Sequence, residues 1–261
     1  MRYHGFSTRD YLILDNIPVS KEISVMEIGV GTGSTADLIV GKVKKYCGVD
    51  ISAGLIEWLK TAYKYDDSVK FYAKDATQDD FLGEKFDVIF SADTLEHVSS
   101  PKGYFNFIEK HLTQNGIALV TFPNESPKRH HGILWFNSKS ELIEIIDSSG
   151  LKVLDIYRVE ETAYHKLIKK YLWSIPKRII SRHLYELPQS FENTEAFEIN
   201  KSGSIKKNIF ACYAKMITWI AALLPLYDLT EVGEDINDKV LLFHLKHKYS
   251  DMLAEENRRV I

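Results

Sequence analysis

The sequence predicts a doubly wound α/β fold. Three observations predict it. A glycine-rich turn joins a short β-type run to an amphipathic segment at residues 23–34. Short apolar runs then alternate with helix-patterned stretches as far as residue 159. Four successive runs also end at or just beside an acid: Glu27, Asp50, Asp75 and Asp93. Alternating strand and helix patterns build a mostly parallel sheet with helices on both faces. Ligands of such sheets sit outside the carboxyl ends of the strands.

The first strand runs from Ile23 to Ile28 and passes into Gly29-Val30-Gly31-Thr32-Gly33. Glycine has no Cβ, so the backbone can turn sharply and approach a ligand closely. The turn ends where a helix begins, at Ser34, and the free N–H groups of that end face whatever occupies it. This is the pattern of a nucleotide-binding turn; a tight βα connection with no ligand is the plainer alternative. A phosphate-gripping loop would end Gly-Lys-Ser/Thr, and this chain reads Gly33-Ser34-Thr35. A dinucleotide fold asks for Gly-x-Gly-x-x-Gly, whereas the spacing here is Gly-x-Gly-x-Gly. Glu27 would also repel a pyrophosphate, and suits a cationic or hydroxyl-bearing ligand.

The later elements follow in order. A helix is expected over Thr35–Val43, and a second strand over Tyr46–Ser52, whose Asp50 can accept both hydroxyls of a ribose. Ala53–Lys64 is helical, and Val69–Ala76 a third strand with Asp75 at its end. Phe86–Ser91 is the fourth strand, followed by Ala92-Asp93-Thr94-Leu95-Glu96-His97-Val98. Pro101–Leu112 is helical, Gly116–Asn124 the fifth strand and Ser138–Ser149 a helix closed by Gly150. Leu151–Val159 is the sixth strand and Val240–His247 the seventh.

Two segments stand outside this alternation. Residues 1–22 precede the first strand, and Tyr3, His4, Phe6, Arg9, Tyr11 and Leu12 give a short amphipathic helix. Residues 160–237 are an insertion too long for a structureless loop. Its first half sets Lys166, Lys169, Lys170, Lys177, Arg178 and Arg182 among apolar residues. Its second half, Ile209–Leu226, is almost wholly apolar, with Lys215 near the middle and Pro225 near the end. That charge and that proline argue against a membrane span. A membrane-surface helix is a second possibility, and a helical lobe over a substrate pocket is the preferred one. The chain is therefore divided into residues 1–22, a core at 23–159, a helical lobe at 160–237 and a final strand with its tail at 238–261.

The 261 residues can bury one large core, or one core with an accessory lobe. With 45% hydrophobic and 26% charged residues, the composition is that of a globular protein. A net charge of −3 gives no argument for nucleic acid. Cys47 and Cys212 read as core thiols rather than a disulfide or a metal pair. Met1–Asp10 lacks an apolar signal core, so a cytoplasmic location is expected.

The glycine turn, the ordered strand-end acids, Leu95-Glu96-His97-Val98 and Phe122-Pro123-Asn124 together resemble the class I S-adenosylmethionine-dependent methyltransferases, in their small-molecule branch. The resemblance covers about 22–158 and the last strand. It implies a Rossmann-like seven-stranded sheet whose last strand is antiparallel, with the helical insertion before it. It implies S-adenosylmethionine as cofactor and S-adenosylhomocysteine as product. Glu27, Gly29, Gly31 and Gly33 would line the methionine part, Asp50 would hold the ribose hydroxyls, and Ile51 would pack on the adenine. Asp75 would accept from the adenine amino group, Ala76 would offer a backbone contact, and Ser91 and Asp93 would flank the sulfonium.

A methyl on a sulfonium is already electrophilic, so the protein's task is to hold a nucleophile in line with it. A hydroxyl acceptor is helped by a base; a carboxylate or phosphate-type oxygen needs none. His97 and His131 are the candidate bases, each with a plain structural alternative. Lys128, Arg129 and His130 belong to the same dense basic run and read as a clamp for an anionic acceptor, or as a solvated loop. Asp93, Glu96, His97 and His131 carry the right atoms for a divalent ion, and a similar pattern occurs in metal-dependent small-RNA 2′-O-methyltransferases. Asp93 replaces the longer Glu usual there, so no metal is expected. The preferred reading is O-methylation of a small anionic metabolite: phosphorylated, phosphoramidate, carboxylate or sugar type, with surface-glycan biosynthesis as a candidate setting. The alternative is a quinone-like lipid precursor. RNA methylation and a non-catalytic cofactor-binding module come third. Expected partners are a small-molecule acceptor, without nucleic acid or stable membrane insertion.

Overall fold

A computed structural model describes residues 8–78, 83–125, 132–174, 216–217 and 224–248. Its strands are β1 (Ser24–Ile28), β2 (Lys45–Asp50), β3 (Val69–Ala73), β4 (Phe86–Ala92), β5 (Leu112–Asn124), β6 (Leu151–Glu161), β7 (Tyr227–Glu231) and β8 (Lys239–His247). They form one sheet in the order β3-β2-β1-β4-β5-β8-β6-β7. From β3 to β5 all pairings are parallel. β8 lies between β5 and β6 and is antiparallel to both. The strand order therefore turns back between β1 and β4, the switch point where ligands of open α/β sheets bind.

The Rossmann-like doubly wound fold and the antiparallel last strand are as the sequence predicts. The strand count is eight, not seven. β7 falls where a helical lobe was expected. Tyr227 and Leu229 alternate with Asp228 and Thr230, a period of two. That signal is easily lost beside the apolar run ending at Pro225–Leu226.

The helices are α1 (Thr8–Asn16), α2 (Ala36–Ile39), α3 (Ala53–Ala62), α4 (Pro101–His111), α5 (Lys139–Ser148) and α6 (Ala163–Leu167). A 3₁₀ turn spans Leu95–His97, and a π-helical segment, Ile168–Ser174, continues α6. Local chemistry sets several boundaries. Ser100 caps α4 by accepting from Gly103 N–H at 3.1 Å, with Pro101 at the first helical position. Ser138 caps α5 by accepting from Glu141 N–H at 3.2 Å, while Asn137 N–H donates back to Glu141 Oε2 at 2.8 Å. Gly150, with φ +84°, follows α5. α2 is only four residues long, shorter than Thr35–Val43, because Gly41 follows at φ +81° and stops it.

The main core packs α4 and α5 against the sheet through Tyr104, Phe105, Ile108, Leu142 and Ile146, which meet Ile89, Val120, Phe122 and Phe243. Cys47 lies in this core; burial pushes its thiol up to about 12, as expected for an inert core cysteine. The chain divides into two compact units, Leu12–Val159 with Leu229–Ile261, and Met1–Tyr11 with Glu160–Asp228. In the smaller unit Ile168, Ile217 and Leu226 pack together, and Thr162 Oγ1 donates to Pro225 O at 2.7 Å. Among the described residues no helix is long and apolar enough to cross a membrane. Tyr3, His4, Phe6, Lys177, Arg178, Arg182, Cys212 and most of Ile209–Leu226 lie outside the described residues.

Candidate functional site

Most of the predicted cofactor residues lie where β1, β2 and β4 end, with Asp75 and Ala76 just past β3. Gly29 N–H and Val30 N–H both donate to Val49 O, at 2.8 and 3.1 Å, so the glycine turn is tied to the tip of β2. Gly31 N–H donates to Asp50 Oδ2 at 2.9 Å, and Ser52 N–H to Asp50 Oδ1 at 2.9 Å. One carboxylate thus fixes both the turn and its own strand end. A carboxylate has about four lone-pair sites, so both oxygens keep acceptor capacity for ribose hydroxyls.

The glycines divide the work of the turn. Gly29 has φ +77°, and a Cβ there would stand 2.0 Å from Thr94 Oγ1. Gly31 has φ +50°, and a Cβ there would meet nothing nearer than Gly29 O at 4.0 Å. Gly29 therefore lets the loop press against the tip of β4, while Gly31 borders open space. Gly33 lies against Leu59 of α3. Ile51, next to Asp50, is 76% exposed, an apolar side chain held in solvent beside the carboxylate. Glu27 is buried and accepts from Tyr46 Oη.

At the tip of β4, Asp93 adopts φ +47°, a left-handed conformation that favours Gly, Asn and Asp. Thr121 of β5 holds it there. Asp93 N–H donates to Thr121 O at 3.2 Å and to its Oγ1 at 3.1 Å, and Thr121 Oγ1 donates to Asp93 Oδ1 at 3.0 Å. Thr94 and Ser91 both donate to Ile28 O, at 3.3 and 2.9 Å. Ser91 is fully buried. Its side chain fastens β4 to the end of β1.

Asp75 is likewise engaged in its own turn. Its Oδ1 accepts from Thr77 N–H at 2.8 Å and Thr77 Oγ1 at 2.7 Å, and its Oδ2 from Gln78 Nε2 at 3.1 Å. Ala76 is buried in the main core at 9% exposure, which leaves its backbone as the group able to meet a ligand. His97 projects from the 3₁₀ turn with its side chain 53% exposed and Nε2 3.8 Å from Oε1 of buried Glu96. Glu96 O accepts from Ile133 N–H at 2.7 Å and Leu134 N–H at 3.1 Å. At the end of β5, Asn124 is clamped by Phe136 N–H and O and by Ile236 O, at 2.8, 2.9 and 2.9 Å. Lys128, Arg129, His130 and His131 lie between these anchors and outside the described residues. Among the described residues no three His, Cys, Asp or Glu side chains form a group able to hold a metal; Asp93, Glu96 and His97 do not make one by themselves.

The arrangement fits an adenosyl cofactor on this structure's own terms. A carboxylate with spare acceptor capacity sits at the tip of β2, open space borders Gly31, and an apolar side chain is presented next to the carboxylate. Ser52, Thr94, Thr121 and Tyr46 are supporting residues that the sequence reading missed. Asp50-Ile51-Ser52 carries a readable signal, since an Asp commonly accepts from the N–H two residues on. Thr121 is the one hydroxyl in the apolar stretch Ile117–Phe122, which is also a signal.

A family model described as a methyltransferase domain matches residues 8–154. A ubiquinone biosynthesis O-methyltransferase of Rickettsia canadensis is 21% identical over 154 residues, covering 52% of this chain and 65% of that protein. Phosphoethanolamine N-methyltransferase 1 of Triticum aestivum is 24% identical over 200 residues, covering 74% of this chain and 38% of that protein. The matches thus span less than two thirds of either relative's own length. Phosphoethanolamine N-methyltransferase 2 of Haemonchus contortus, solved with phosphomonomethylethanolamine and S-adenosylhomocysteine, shares the fold. Its TM-score is 0.55 at 19% identity, over 92% of this chain and 52% of that one.

Proposed function

Because this chain belongs to the methyltransferase-domain family, we propose that it transfers a methyl group from S-adenosylmethionine to an oxygen of a small anionic metabolite. The observation that carries the cofactor reading is Asp50, pinned between Gly31 N–H and Ser52 N–H at the tip of β2, one strand from the switch point of the sheet. S-adenosylmethionine, when bound, supplies an electrophilic methyl group. In this reading Asp50 accepts from the ribose hydroxyls, Ile51 covers one face of the adenine, Asp75 and the Ala76 backbone meet its edge, and the glycine turn with Glu27 takes the amino-acid end. Asp93 borders the methyl.

The chain's own contribution to the reaction is positioning and proton removal. His97 is exposed beside this end of β4, and the Glu96 carboxylate 3.8 Å away stabilises the imidazolium that proton uptake creates. His97→Asn is expected to lower kcat by about a hundredfold or more while leaving cofactor affinity within about twofold. Calorimetry beside steady-state kinetics checks this. Parallel losses in both quantities would mean that His97 only holds the turn.

The anionic acceptor rests on the run Lys128-Arg129-His130-His131, whose flanking residues are anchored near Asn124 and Glu96. The name of the phosphoethanolamine relative supports a phosphorylated acceptor. Replacing Lys128 and Arg129 by Ala is expected to raise the acceptor KM about tenfold with kcat preserved; a loss confined to kcat would contradict the clamp. A quinone-like acceptor is the second reading, favoured by the Rickettsia canadensis relative. Activity confined to phenols and indifferent to Lys128 and Arg129 would select it.

A further inference from the structure

Tyr46 and Glu27 lie on neighbouring strands but are not directly opposite. Val25 pairs with Tyr46, and Glu27 pairs with Gly48. Glu27 is therefore the diagonal neighbour of Tyr46 on the same sheet face, a separation that a long aromatic side chain bridges. Gly48 leaves room beside it for the Phe71 ring, since a Cβ there would stand 2.6 Å from that ring and 3.1 Å from Val30 Cγ2. The Tyr46 ring is 1% exposed and meets Phe71 edge-on at 6.0 Å. Its hydroxyl donates to Glu27 Oε2, and Glu27 is itself only 4% exposed.

We propose that Tyr46 is a positioning residue: its phenol fixes the Glu27 carboxylate to receive the ammonium of the cofactor's amino-acid end. The inference rests on the cofactor reading above and adds to it the residue that orients the acid. Burial and the Glu27 charge push the Tyr46 phenol well above its usual range, so it remains a donor throughout the working pH range. A buried carboxylate free to rotate would lose part of its attraction for a bound cation. One held by a protonated phenol, itself buried and packed edge-on against Phe71, is preorganised for it.

Two ligands separate this role from simple structural support. S-adenosylhomocysteine carries the ammonium; 5′-methylthioadenosine keeps the adenine, ribose and thioether and lacks the amino-acid end. Calorimetric titration of the full chain should show Tyr46→Phe weakening S-adenosylhomocysteine about tenfold, with 5′-methylthioadenosine unchanged within about twofold. Glu27→Gln, which keeps the side chain's shape, should give at least as large a ligand-selective loss. Adding Tyr46→Phe to it should cost little more, because both changes act through one carboxylate. Equal losses for the two ligands in either variant, or an undiminished preference for S-adenosylhomocysteine, would overturn the proposal. If Tyr46→Phe proves insoluble, the Glu27→Gln ligand comparison still decides whether that carboxylate reads the ammonium. Wild-type protein that binds neither ligand would instead overturn the cofactor reading.

Discussion

Asp50→Ala is expected to weaken S-adenosylhomocysteine binding by about a hundredfold or more, the loss of two charge-assisted hydrogen bonds at roughly 1.5–3 kcal/mol each. The effect has a second source in this protein. Asp50 also accepts from Gly31 N–H, so the substitution removes the fastening of the glycine turn together with the ribose acceptor. Asp50→Asn separates the two. It keeps an oxygen for Gly31 N–H but loses the charge, and its affinity should fall between the wild type and Asp50→Ala. A folded Asp50→Ala protein with unchanged calorimetric affinity would sink the assignment of this carboxylate.

Gly29→Ala should be the most destabilising single change in the turn. The new Cβ would lie 2.0 Å from Thr94 Oγ1, on a backbone held at φ +77°. A left-handed alanine costs about 1–2 kcal/mol, and relieving the contact must shift Thr94, which donates to Ile28 O and Ala92 O. A total of about 3–4 kcal/mol is a large share of a domain's usual 5–15 kcal/mol. The expected melting temperature is lower by roughly 10 °C. Gly31→Ala should behave differently. It carries backbone strain without the clash, and its methyl enters the open space beside the loop. Thermal unfolding and cofactor titration together should show Gly29→Ala chiefly as a stability defect and Gly31→Ala chiefly as a binding defect. Similar melting temperatures for the two would contradict the division of roles.

Much of this architecture was legible in the residues because the strands of a parallel sheet are short apolar runs and their ends carry the ligand chemistry. Val25–Ile28 and Val88–Phe90 announce buried strands, and the acids at their tips land together because the pairing is in register. What was not legible depends on contacts between distant elements. No local pattern tells that Tyr46 reaches Glu27 rather than a backbone carbonyl, since the contact needs the β1–β2 register that sets Glu27 diagonal to Tyr46. The Ser91 hydroxyl donates across the sheet to Ile28 O, a partner that only the β1–β4 register supplies. Asp75 differs, for Thr77 and Gln78 engage both of its oxygens within its own turn. β7 escaped because a five-residue alternating strand beside a long apolar run has little periodic signal of its own.

The measurement that tests the central claim most directly follows a labelled methyl group. The purified chain would be incubated with S-adenosylmethionine labelled in its methyl and a panel of phosphorylated, carboxylated and phenolic small molecules, with and without EDTA. The account predicts label on a phosphorylated or carboxylated acceptor, at a rate indifferent to EDTA and lost in Asp50→Ala. A protein that binds S-adenosylhomocysteine yet moves no label to any acceptor would contradict it, and would leave a cofactor-binding module in place of an enzyme.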